Sequence, residues 1–185
     1  MTDMNLLDPT LLALGIIATM ILFAVVAFFT RATARRIVGA LISASPIVPT
    51  VLLFDVIAAQ LGWWHYPAVT TGNAPIAWYI MAALWYGAAL GLVGWRVIRR
   101  FGARGLAVFL VAFALYGVAR DYSYSVTTGL IVFGPGLVPL GAELFAYASA
   151  AALVQLLMYW IVGPPRSDPL ARMPHHRAAP NPANQ

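Results

Sequence analysis

Apolar residues run along this chain in blocks far longer than one buried face of a soluble helix needs. The first block is Leu11–Phe29, LLALGIIATMILFAVVAFF, and four more cover about 37–64, 76–97, 106–126 and 139–162. About 20 consecutive apolar residues cross the hydrocarbon layer as a helix. The pattern therefore predicts an all-α fold, a polytopic transmembrane bundle of about five helices. Pro46 and Pro49 predict a kink or break inside the second block, because proline removes a backbone donor and clashes with the preceding turn.

Three stretches lie outside the pattern. Residues 127–138, TTGLIVFGPGLV, are apolar but too short to span and are interrupted by Gly134, Pro135 and Gly136. They read as an outer loop or a re-entrant segment. Residues 163–185 are rich in proline and polar groups, the composition of a disordered tail. Residues 1–10 form a short segment ahead of the first helix, carrying Asp3 and Asp8 and no basic residue. Signal peptides start basic and have a shorter apolar core, so the first block reads as an uncleaved helix.

Composition agrees with the pattern. The chain has 185 residues, 62% hydrophobic and 9% charged, with a mean hydropathy of +0.82. A soluble domain is about 25% charged. The net charge of +5 does not argue for nucleic acid. All eleven basic residues are arginine, and all but Arg120 fall in clusters at 31–36, 96–104 and 166–177, between or after the apolar blocks. Such clusters mark the cytoplasmic side of a membrane protein. They predict an N-terminus outside and a C-terminus in the cytoplasm. Arginine without lysine, with abundant alanine, points to a GC-rich bacterial genome, and the multi-pass helical spans then to its cytoplasmic (inner) membrane. There is no cysteine, which excludes disulfides and thiolate metal sites.

Four charges lie inside the apolar blocks. A helix rises 1.5 Å per residue, so Asp55, 19 residues from Arg36, sits about 28 Å above the arginine boundary. Arg120 and Asp121 sit about 24–26 Å above Arg104, and Glu143 about 34 Å above Arg166. With a hydrocarbon layer about 30 Å thick, all four fall in its outer third. Each would cost roughly 2.5–3.5 kcal/mol at a helix centre, less near the interface. Sharing that cost predicts that Arg120 faces Asp55 or Glu143, with Asp121 nearer the water. Three acids against one guanidinium leave room for a protonated carboxyl, so Asp55, Glu143 and Asp121 are candidate catalytic acids. The alternative is a clamp that only holds helices together.

Trp63, Trp64, His65, Tyr66, Trp78, Tyr79, Tyr122 and Tyr124 gather at the same level. They read as an interfacial aromatic belt, or as a pocket whose rings hold a cation or a polyene. In the pocket reading, Arg120, Trp64, His65, Tyr66, Trp78 and Tyr122 are the candidate ligand-binding residues. Gly87 and Gly91, four apart in GAALG, allow close helix approach, within the bundle or across a homo-oligomer seam. Ala146 with Ala150 and Ala148 with Ala152 repeat that spacing. His175 and His176 have no accompanying ligands and make no metal site. No GxSxG, HExxH or phosphate-loop motif occurs, and nothing calls for a cofactor.

Around FDVIAAQLGWWHYP the chain resembles the small membrane lycopene cyclases of carotenoid biosynthesis. Asp55, Gly62, Trp64 and Tyr66 match that family's helix end in type, and Pro75-Ile76 falls where its next helix begins with a proline. The likeness covers about 25 of 185 residues. In that family acidic residues follow the proline and are thought to protonate the polyene; here Ala77-Trp78 follow. The resemblance thus implies an isoprenoid-like substrate, with the acid supplied from elsewhere, as by Glu143. Two readings stand: a protein that binds or transforms a hydrophobic isoprenoid-like molecule, and a non-catalytic assembly factor or small subunit whose charges are structural.

Overall fold

A computed structural model describes residues 9–67 and 76–165. The N-terminal segment, the loop with Pro75, and the tail with His175 and His176 lie outside the described residues. Five helices are long and apolar enough to cross a membrane: Pro9–Phe29, Ala34–Leu61, Ile76–Phe101, Ala103–Thr128 and Val138–Val162. The chain reads as a multi-pass membrane protein.

The first span is α1 (Pro9–Phe29). The second divides at Ser45-Pro46 into α2 (Ala34–Ala44) and α3 (Ile47–Leu61), where the proline lacks the donor that would continue the ladder. The third contains α4 (Ile76–Ala82), a π-helical segment (Ala83–Ala89) and α5 (Leu90–Phe101). The fourth and fifth are α6 (Ala103–Thr128) and α7 (Val138–Val162).

The short turns between α1 and α2 and between α5 and α6 define an arginine end. There Arg96 donates to the carbonyl of Thr30 at 2.8 Å, and Arg35 reaches the carbonyl of Ile161 at 3.4 Å. Cations at helix C-termini satisfy carbonyls that the helix itself leaves open.

The opposite, aromatic end differs from the sequence expectation. The second span stops at Leu61 rather than near Trp64. Gly62, at φ +68°, turns the chain back in a left-handed conformation that glycine adopts without a Cβ penalty. Trp64–His65 then forms β1, which pairs antiparallel with β2 (Val132–Phe133). Residues 129–137 form no helix and fold over this end of the bundle. Gly134 donates to the carbonyl of Trp63 at 2.8 Å, and a Cβ there would collide with the Gly62 carbonyl.

The core runs down the middle of the bundle through Ala44, Ile47, Ala88, Leu92, Val154 and Met158. Gly87 and Gly91 are spent within it. A Cβ on Gly87 would lie 2.6 Å from that of Ala44, and one on Gly91 would lie 3.0 Å from Val154. The close approach allowed by GAALG is used between spans of one chain.

Candidate functional site

Helices α1, α3, the α4–π segment, α6 and α7 line a cavity of about 620 Å³ that opens to the flank of the bundle. Ligand sites for drug-sized molecules run from about 300 to 1,000 Å³. Asp55, Arg120, Asp121 and Glu143 all line it. Their pairing is different from the expected one.

Asp55 does not meet Arg120. Its carboxylate is held by neutral donors brought back over it by the turn at Gly62. Trp64 Nε1 donates to Oδ1 at 2.9 Å, Tyr79 OH donates to Oδ2 at 2.8 Å, and Tyr66 OH lies 3.3 Å from both oxygens. Asp55 is buried, 4% exposed. Tyr66 lies beyond the end of the span, and burial pushes its phenol well above the ordinary range, which keeps it a donor. The carboxylate therefore ties three chain segments together: α3, the turn after it, and α4.

The second pole belongs to α6 and α7. Arg120 Nε donates to the carboxylate of its neighbour Asp121 at 2.6 Å, and its NH2 group also pairs with that carboxylate. The same NH2 group donates to Tyr147 OH at 2.9 Å, and Tyr147 OH donates in turn to Asp121 Oδ2 at 2.5 Å. The guanidinium also lies over the rings of Tyr86, at 4.8 Å, and Tyr124, at 5.5 Å. Aromatic faces attract a cation through their quadrupole. Asp121 is the more buried of the two, with side-chain exposures of 13% and 32%.

This closed ring of contacts has a backbone origin. Gly117 and Asp121 lie one turn apart on α6, and Glu143 and Tyr147 lie one turn apart on α7. A Cβ on Gly117 would sit 2.6 Å from the Tyr147 ring. Its absence lets α7 come close enough for Tyr147 to reach both members of the ion pair.

Glu143 makes the remaining contact, with its carboxyl against that of Asp121. Glu143 is 4% exposed, and its Oε2 has no hydrogen-bond partner among the described residues. It is the one intramembrane acid with an oxygen to spare.

The rings sort differently from the expectation. Trp64, Tyr66 and Trp78 line the cavity. His65 does not: successive strand residues point to opposite faces, so Trp64 is buried and His65 exposed. Nor does Tyr122, which stacks on Phe133 at 4.2 Å with the planes 7° apart, against the covering segment. Tyr86, Tyr147, Trp85 and Tyr116 line the cavity and were not singled out by sequence. Among the described residues no group of three His, Cys, Asp or Glu side chains could hold a metal ion. Comparison of the chain with protein-family models, curated proteins and solved structures gives no match.

Proposed function

We propose that this protein binds an elongated hydrophobic molecule of isoprenoid type inside the bundle and that Glu143 is the acid that acts on it. The carrying observation is one cavity whose wall combines aromatic rings with a buried carboxyl that has an unused oxygen. The arginine clusters at the short turns support an orientation with that end in the cytoplasm and the cavity towards the outer leaflet. The arginine-only composition supports a bacterial source, and the helical spans its inner membrane.

The chemistry is proton transfer to a carbon–carbon double bond. A proton carried by Glu143 adds to one alkene carbon, using the π electron pair to form the new C–H bond. Positive charge develops on the neighbouring carbon. The faces of Tyr86, Trp85 and Tyr116 stabilise it, as they would any cation in a dry site. Loss of a proton from an adjacent carbon to the carboxylate pair restores the acid and leaves a rearranged isomer. Asp55 has no part in the transfer: its oxygens are occupied, which supports a structural role for that pole alone.

Deuterium incorporation tests this reading. Proteoliposomes in D2O are given lycopene as an acyclic probe. Wild type should yield an isomer carrying one deuterium, and Glu143→Gln should yield none. Unchanged, unlabelled lycopene recovered from wild type would contradict the chemistry.

A further inference from the structure

The cavity opens on the flank of the bundle, and its exposed rim includes Leu22 of α1 as well as rings of the third and fourth spans. The β1–β2 ribbon, with buried Trp64 and Ile131, closes the aromatic end. Direct helix packing joins α3 to α7, α3 to α4 and α6 to α7. The third and fourth spans behave differently. They pack together along α5 and the first half of α6, around Gly94 and Phe109. Further up, aromatic rings fill the space between their backbones. Tyr86 lies 5.6 Å from the Phe113 ring and 6.1 Å from the Tyr116 ring. The bulky pair Trp85-Tyr86 projects from the π-helical segment, a geometry that recurs at functional sites.

At the surface of this cleft Trp85 Nε1 donates to Tyr116 OH at 3.4 Å. That is beyond the usual 2.7–3.2 Å and therefore a weak closure. Tyr116 and Tyr124 are 45% and 43% exposed, yet both also line the cavity. The same side chains are thus the cavity wall and the flank of the bundle that faces hydrocarbon.

We propose that the cavity exchanges its ligand with the bilayer through this cleft, with the Trp85–Tyr116 contact as its gate. This rests on the ligand-site reading above and narrows the substrate class. The molecule dissolves in the hydrocarbon layer, is slim enough to pass between two rings, and has no anionic head. Arg120 is already matched by Asp121, Tyr147 and two ring faces, so a phosphate or carboxylate would enter facing three carboxyl groups and no open cation in the cavity.

The chain has no cysteine, so introduced pairs are unique. Trp85→Cys with Tyr116→Cys can be joined by a short bis-thiosulfonate across the cleft. His65→Cys with Val132→Cys, on facing ribbon residues, can be joined at the aromatic end. Retinol in donor vesicles is the probe, read by energy transfer from the remaining tryptophans of protein held in nanodiscs. Each unbridged variant is the reference for its bridged form.

Bridging the cleft should slow retinol uptake by about an order of magnitude, reversed by reductant, while bridging the ribbon leaves it unchanged. Retinoic acid should load far less than retinol. Normal uptake through a bridged cleft, or uptake blocked only by the ribbon bridge, would overturn the entrance. Equal loading of retinoic acid would overturn the head-group rule. If unmodified wild-type protein takes up no retinol by any route, the ligand-site reading itself fails.

Discussion

Trp64 donates its indole N–H to Asp55 across the end of the second span, at 2.9 Å, and the strand that begins at Trp64 is the one that covers the cavity. One buried carboxylate thereby fixes both a helix end and a lid. A hydrogen bond to a charged group is worth about 1.5–3 kcal/mol. Asp55→Asn and Tyr79→Phe should therefore be non-additive in a thermal-unfolding cycle, with a coupling of about 1–3 kcal/mol. Asp55→Asn and Arg120→Gln should be close to additive, since the two side chains keep separate hydrogen-bond partners. The reverse pattern would place Arg120 on Asp55.

The Asp121–Glu143 contact separates stability from chemistry. Glu143→Gln replaces an under-used buried carboxyl with a neutral amide of the same shape. The melting temperature should be unchanged or higher, while proton transfer to the probe is lost. A variant that unfolds instead would make Glu143 a structural partner of Asp121.

The Tyr147 hydroxyl bridges both members of the ion pair. Tyr147→Phe keeps the ring over Gly117 and removes only the bridge, so the expected loss is about 1–3 kcal/mol in stability measured by denaturant or heat. Unchanged stability would show that Arg120 and Asp121 hold each other without it.

Gly87 has no space for a side chain beside Ala44. Gly87→Val forces the third span away from the second and should cost about 1–3 kcal/mol or more, read as a lower melting temperature in detergent. Gly141 has open space where a Cβ would stand, with no atom within 4 Å, and should accept alanine without loss.

Much of the architecture could be read from residue types alone. Block length yields five spans, and counting residues from Arg36 and Arg104 brings Asp55, Arg120 and Asp121 to one level. Partner choice could not be read that way. Asp55 finds Trp64 and Tyr66 only because Gly62 reverses the chain, whereas a helix continued to Trp64 would carry those rings elsewhere. Arg120 pairs with its own neighbour, which depth arithmetic cannot distinguish from pairing across helices. Tyr147 looked like one more apolar residue of its block, although its four-residue spacing from Glu143, opposite the same spacing of Gly117 and Asp121, was a usable signal. The π-helical segment that presents Trp85 and Tyr86 has no compositional signature, because its extra residue per turn is a property of packing.

The most direct test is untargeted lipid mass spectrometry on the protein purified in mild detergent, beside Ala146→Trp, which fills the cavity from its α7 wall. Wild type should retain one apolar molecule well above its share of the membrane, and the filled variant should lose it while staying folded. Bulk phospholipid alone on both proteins, in equal proportion, would contradict a ligand site and leave the buried charges as helix clamps.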